Sequence, residues 1–393
     1  MSTLKVFTTF TGIGMQERGL FNSNKDIEVV GTSEIDPHAI ISYSAIHKNF
    51  NEIYANYKFE ETKREMSEYL KSLNVGYDFL HSRAYDWDKA KLEFVQKVYL
   101  ACKLNNNYGD ISKITNIPDC DIFTFSFPCT DISVSGRQRG IVANKTRSGL
   151  VYEVLRILKA IGNKPSILIM ENVSALVNKK NISSYEALNK EFLKLGYYCK
   201  YKVMNAKDYG VPQNRDRVFA IYMLDKEKLD AYVFPDEIAL KVCTNDYLEP
   251  LDDKYIINND RAKEFLANLN NFSSNKTSNT LIYLGALSNS LWLKNGKNLS
   301  RNQRQGYRVY SSDGVCPGLA TNVGGFGRVS SLIYDVKTNK VRRLSPVEAF
   351  KLMGMTKVDC EECIKAGVTE GQLYKQAGNG LVADIICQIT NNL

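Results

Sequence analysis

Cys129 stands directly after a proline, in the stretch FSFPCTDISVSGRQRG (residues 125–140). The run before it, 121–126 (DIFTFS), is apolar and β-prone and predicts a buried parallel strand that Pro128 ends. A thiol at the carboxyl end of such a strand sits where open α/β sheets bind their ligands, and it suits nucleophilic chemistry. The plainer reading of a free cysteine is a small buried hydrophobe, and that reading is preferred for the other eight. A second buried run, 167–170, ends at Glu171-Asn172-Val173. A carboxylate there shares the crevice with the thiol and is its natural acid–base partner. QNRDR (213–217) leads into another strand, 217–223. Arginines two apart on a strand point to one side, so Arg215 and Arg217 can face the same crevice. Ser133 to Gly140 carries two glycines and two arginines and reads as a loop whose charge meets phosphates.

The elements that must position these groups follow from the same chain. Residues 5–10 (KVFTTF) are β-prone, Gly12 and Gly14 follow, and a short helix starts near Met15. Such a strand–turn–helix lets a ligand approach backbone N–H groups. A strand over 28–32 ends beside Glu34, where a carboxylate can accept ribose hydroxyls. The pairing suits a nicotinamide cofactor or S-adenosylmethionine equally. Residues 36–50 read as a helix with Ile40, Ile41, Ser44 and Ala45 on one face. Gly109-Asp110-Ile111 offers a third carboxylate before the Cys129 strand. Residues 51–108, helical over 60–73 and 87–104, hold no evident chemistry and read as an insertion packed on the sheet. Helical spacing recurs over 150–161, strands at 197–205 and 217–223 form a hairpin, and 345–353 is a capped helix. Leu381, Val382, Ile385, Ile386 and Ile389 make an apolar stripe on a last helix, which needs a partner near the first strand.

At 393 residues and 44% hydrophobic, the chain suits two domains with a sizeable core. Its net charge is +8, yet residues 271–343 alone carry eleven lysines and arginines against two acids, net +9. That stretch also holds Tyr283, Trp292, Tyr307, Tyr310 and Phe326. Basic, polar and aromatic is the composition of a surface that grips a phosphate backbone and reads base edges. Nine cysteines at irregular spacing, with no secretory segment and no long apolar run, imply a cytoplasmic protein with reduced thiols and no membrane partner. Cys360 and Cys363 have no second pair, and the three histidines are not closely spaced, so no metal is expected.

Taken in order, FTGIG (10–14), Glu34, Gly109-Asp110-Ile111, FPCTDISVSGRQRG, Glu171-Asn172-Val173, QNRDR, RRLSPVEAFKLMG (342–354) and QAGNG (376–380) resemble the cytosine-5 DNA methyltransferases of bacterial or phage type. They span nearly the whole chain. The resemblance implies an α/β, Rossmann-like, S-adenosylmethionine-dependent domain with a smaller, irregular, β-rich target-recognition domain. The boundaries it implies are 1–226 for the catalytic domain, with 51–108 inserted, and 227–371 for recognition and the return motif. Residues 372–393 would then complete the catalytic domain. Cys129 would add to carbon 6 of a flipped cytosine, Glu171 would engage ring nitrogen 3, Arg217 would bind the ring carbonyl, and Arg215 would support the site. Phe10, Gly12, Gly14, Glu34, Asp110, Ile111, Pro128 and Asn379 would line the cofactor. Ser133, Arg137, Gln138, Arg139, Arg308 and Asn322 would meet double-stranded DNA. The resemblance further implies a monomer; a cognate restriction endonuclease, where the host has one, would act independently. Thr130, Gly318 and Gly380 depart from the family's usual glutamine, threonine and serine. Three other readings compete: the same chemistry on tRNA, a non-catalytic DNA-binding regulator, and a nicotinamide-dependent oxidoreductase. The last leaves Cys129, Glu171 and the basic stretch without a role.

Overall fold

A strand whose successive residues enter two different cores must lie in a sheet covered on both faces, and the first strand does this. In β1 (Leu4–Thr9), Val6 packs into one core and Phe7 into the other. α1 (Met15–Phe21) leads to β2 (Ile27–Ser33), parallel to β1. α2 (Pro37–His47) is capped by the Asp36 carboxylate, which accepts from the His38 and Ala39 N–H groups, and it buries Ile40, Ile41, Ser44 and Ala45. The computed structural model describes residues 3–128, 147–269, 279–287, 305–321 and 325–393.

The charged segment that follows holds α3 (Phe50–Asn56), α4 (Lys63–Ser72), a small hairpin of β3 (Tyr77–Asp78) and β4 (Arg83–Ala84), and α5 (Leu92–Leu104). It does not lie on the sheet as an insertion there would. α5 packs on α2 and α4. The segment reaches the sheet at the β2 edge, where Asn107 bridges Thr32.

β5 (Ile122–Phe125) pairs parallel with β1 and with β6 (Ile167–Val173). α6 (Val151–Ala160) and α7 (Ile182–Lys194) bury Val154, Leu158, Leu188 and Phe192 against the face that carries Phe123, Leu168 and Tyr222. β7 (Tyr198–Asn205), a short β8 (Gln213–Asn214) and β9 (Asp216–Met223) complete this half. The sheet order is β2-β1-β5-β6-β9-β7, with β9 antiparallel to both neighbours. β6 runs on through Glu171-Asn172-Val173, past the apolar run, because β9 pairs with it there. The chain winds outward from β1 and β5 in opposite directions, which leaves a crevice at their carboxyl ends.

After α8 (Lys226–Ala231) and α9 (Asp260–Asn268) comes a second, smaller unit. β10 (Tyr283–Ala286), β11 (Arg308–Ser311), β13 (Leu332–Asp335) and β14 (Lys340–Arg342) form one sheet over a core of Ile257, Ala262, Val309, Leu332 and Val341. β12 (Cys316–Pro317) leaves it to pair with β8. Not all of the basic stretch faces outward. Arg342 is 1% exposed and ion-paired with Glu348 and Asp335, and Tyr310 is buried. α10 (Pro346–Lys351) carries the expected capping box of Ser345 and Glu348. α11 (Lys357–Lys365) and α12 (Glu370–Asn379) follow. α13 (Ala383–Asn391) lays its apolar stripe along α1, directly after the first strand. The architecture is α/β and Rossmann-like with an added β-rich unit. Among the described residues no helix is long and apolar enough to cross a membrane.

Candidate active site and cofactor pocket

The turn after β1 is built for close approach. Phe10 leaves the strand at φ 53°, a left-handed conformation that is strained for an aromatic residue. A Cβ on Gly12 would meet nothing within 4 Å, so this face is open. A Cβ on Gly14 would lie 2.4 Å from the His47 ring, and φ there is 82°. Burial pushes His47 down to about 3, so its ring is neutral and Nε2 donates to the Gly14 carbonyl at 3.0 Å. Glu34, just past β2, faces this turn. Its Oε2 accepts from the Gly12 N–H at 2.9 Å, and its Oε1 from the Ile35 and Asp36 N–H groups at 2.7 and 2.8 Å. Burial still pushes this carboxyl up from its ordinary value. Three donors on a group with about four acceptor positions leave it able to take one hydroxyl more.

Asp110 is brought to the end of β2 through a tight turn. A Cβ on Gly109 would sit 2.0 Å from the Leu73 carbonyl, and the same carbonyl accepts from the Asp110 N–H at 2.9 Å. The Gly109 carbonyl accepts from Ser33 Oγ at 2.7 Å. The Asp110 carboxylate takes the Ser112 N–H at 2.9 Å and the Asn74 amide, and Ile111 beside it is buried. Leu73 caps α4 and Asn74 follows it, so the inserted segment does have a part in the site.

On the other side of β1, the end of β5 is pinned from two directions. The Phe127 carbonyl accepts from Asn172 Nδ2 at 2.9 Å, and the Pro128 carbonyl from Ser148 Oγ at 2.7 Å. Both carbonyls immediately before Cys129 are thus fixed. Cys129 itself, with Ser133, Arg137, Gln138, Arg139 and Asn322, lies outside the described residues. Glu171 is next to Asn172 on β6, and Arg217 opposes Val173 on β9, so the two side chains meet diagonally on one face. Arg217 Nε is 3.0 Å from Glu171 Oε1. Burial raises the Glu171 carboxyl, Arg217 and Arg215 pull it back, and the net direction is upward.

Arg215 works differently from Arg217. It is 3% exposed and falls between β8 and β9, where the strand breaks and the side chain turns inward. Its guanidinium donates to the carbonyls of Leu319, Gly378 (3.1 Å) and Gly380. Gln213 adds a parallel tie, donating to the Leu352 carbonyl at 2.6 Å and accepting from the Leu319 N–H at 3.1 Å. Asn379, between the two glycines, is exposed at the end of α12. Arg308 is part-exposed on β11, opposite Ala286, in the smaller unit and away from the Glu171–Arg217 pair along the chain. Asn107 and Asn74 are the groups that motif reading overlooked, since asparagines in a polar run read only as loop.

The chain matches the family model of the C-5 cytosine-specific DNA methylases over residues 74–393. It is 35% identical over 393 residues to the type II methyltransferase M2.ScrFI of Lactococcus lactis subsp. cremoris, across 98% of this chain and 97% of that one. It is 36% identical over 234 residues to the orphan methyltransferase M.SssI of Spiroplasma monobiae, across 57% of this chain and 60% of that one. Among solved structures, the S. pombe Dnmt2 methyltransferase superposes with a TM-score of 0.58 at 16% identity, over 98% of this chain and 96% of that one, a likeness of fold. A match that covers most of the chain, with a relative so similar along its full length, assigns the family: the chain belongs to the C-5 cytosine-specific DNA methylases.

Proposed function

We propose that the chain transfers a methyl group from S-adenosylmethionine to carbon 5 of a flipped-out cytosine in a specific double-stranded DNA sequence, through a covalent Cys129 adduct. The Glu171–Arg217 pair carries the reading: a carboxyl raised by burial, beside a fixed cation, on the strand that also holds the backbone before Cys129. The residues present fit the cofactor. The open face at Gly12 admits a ligand to the turn, Glu34 keeps an acceptor position for a ribose hydroxyl, and Asp110 with buried Ile111 suits an adenine. When bound, the cofactor supplies an electrophilic methyl group on a sulfonium.

The chain's own groups do the rest. The Cys129 thiolate bonds to carbon 6, and the ring's electron pair moves to carbon 5, which takes the methyl group. Glu171 donates a proton or hydrogen bond to nitrogen 3, and burial, which raises its pKa, favours the protonated form that donates. Arg217 binds the ring carbonyl and keeps Glu171 oriented. A base then removes the carbon 5 proton, the thiolate leaves as the carbon 5–carbon 6 double bond re-forms, and nitrogen 3 returns any proton it took to Glu171. Flipping the base costs about a few kcal/mol, which contacts from the 133–140 loop and the basic unit offset. The enzyme acts as a monomer on this reading, with no need of a partner endonuclease.

Incubation with methyl-labelled S-adenosylmethionine and either plasmid DNA or tRNA tests this. Label in DNA, lost in Cys129→Ser, and 5-methylcytosine at one sequence by bisulfite reading are expected. Label in tRNA alone, or in neither, overturns it.

A further inference from the structure

Asn107 lies in the run LNNNYGD (104–110) and is 4% exposed. Its side-chain amide makes a two-way pair with the backbone of one residue: Nδ2 donates to the Glu34 carbonyl, and Oδ1 accepts from the Glu34 N–H, both at 3.0 Å. A neighbouring strand would offer the same pair. The side chain therefore continues the Thr32–Asn107 bridge past the end of β2, where the sheet has run out. Oδ1 also accepts from the Gly109 N–H and from Thr32 Oγ1, both at 3.4 Å. One amide thus holds the residue bearing one carboxylate and the turn that delivers the other. Glu34 has little freedom of its own, because its oxygens are tied to the N–H groups of Gly12, Ile35 and Asp36. Its carboxylate stands where its backbone stands, and Asn107 sets that backbone.

We propose that Asn107 is a positioning residue for the cofactor, fixing Glu34 and the Gly109-Asp110 turn as one unit. The inference rests on the cofactor roles given above to Glu34 and Asp110. Its counterpart for comparison is Asn105, equally buried in the same segment, whose amide bonds Ser44 and the Ile40 carbonyl and does not touch Glu34.

The test is calorimetric binding of S-adenosylhomocysteine, with steady-state methyl transfer, for the full chain and for Asn107→Ala, Asn107→Asp and Asn105→Ala. Losing a buried two-way pair raises the cofactor Kd and KM about ten-fold or more in Asn107→Ala. At saturating cofactor, kcat and the KM for DNA stay within about two-fold of the parent, since uniform binding alone is lost. Asn107→Asp keeps the acceptor and loses the donor, so it falls between and serves if the alanine variant does not fold. Asn105→Ala leaves cofactor binding unchanged. An equal rise in Asn105→Ala, or a fall in kcat with KM unchanged, overturns the positioning role alone. No binding by the parent chain overturns the cofactor assignment and this inference with it.

Discussion

In the proposed reaction Glu171 donates to a ring nitrogen, a task that burial favours by raising its pKa and that the Arg217 guanidinium aims. Glu171→Gln keeps the shape and a donor but cannot give up a proton. Its single-turnover methyl transfer is expected to drop about a hundred-fold or more, with cofactor and DNA binding retained; a loss of binding instead would make Glu171 an anchor. Glu17 shows what burial does without such a purpose. It is fully buried on α1 and pushed up to about 7, burial outweighing the Thr8 hydroxyl and the Lys48 charge. Its folded pKa lies above the unfolded 4.5, so its contribution to stability is whole below that value and is lost as pH rises to about 7. Above that, the loss approaches about 3 kcal/mol. Glu17→Gln should therefore melt higher than the parent at pH 8 and level with it at pH 4, and parallel melting curves at both values would refute this.

Elements were legible where their residues announced themselves locally. The strand–glycine–helix opening, the Ser345 cap and the stripe of α13 all rest on short-range chemistry, and each formed as expected. What could not be read were contacts made by backbone across long separations. Asn107 looks like loop because its partner is the backbone of Glu34, just past β2 and far away in the chain. Arg215 looks like a companion of Arg217, because strand alternation says nothing of the break between β8 and β9. Gly318 is a case of the same kind. It departs from the family's usual threonine, which reads as a lost contact; in the fold, a Cβ there would stand 2.8 Å from the Asn214 carbonyl. Restoring the family residue should thus harm this chain. Gly318→Thr must spread β12 from β8 and is expected to cost about 1–3 kcal/mol in denaturant melts. It should also raise the KM for DNA, and a variant as stable as the parent would show that the strands can part freely.

At the scale of the molecule, the two units are joined by buried side chains gripping carbonyls as well as by apolar packing, in which Cys316, Leu319, Val329 and Ile333 share a core with the large sheet. Leu332 and Tyr334 face a core of the smaller unit's own, while Ile333 between them faces the core of the larger unit. Between the two units, Arg215 holds Leu319 from the smaller unit and Gly378 and Gly380 from the segment that returns to the larger one. A guanidinium can serve three carbonyls because its donors are fixed in a plane, whereas an ammonium cannot match that fork. Arg215→Lys keeps the charge and should still lose about 3 kcal/mol, since buried carbonyls are left without donors. Because the loss falls at a junction, it should appear as the smaller unit melting ahead of the larger one in a scanning calorimeter. Methyl transfer should fall in kcat as well, for the Glu171 field includes Arg215 and the Asn379 turn hangs from it. A single transition shifted downward as a whole would mean that the clasp serves the fold in general, and that Gln213, bonded to Leu319 and Leu352, is what joins the halves.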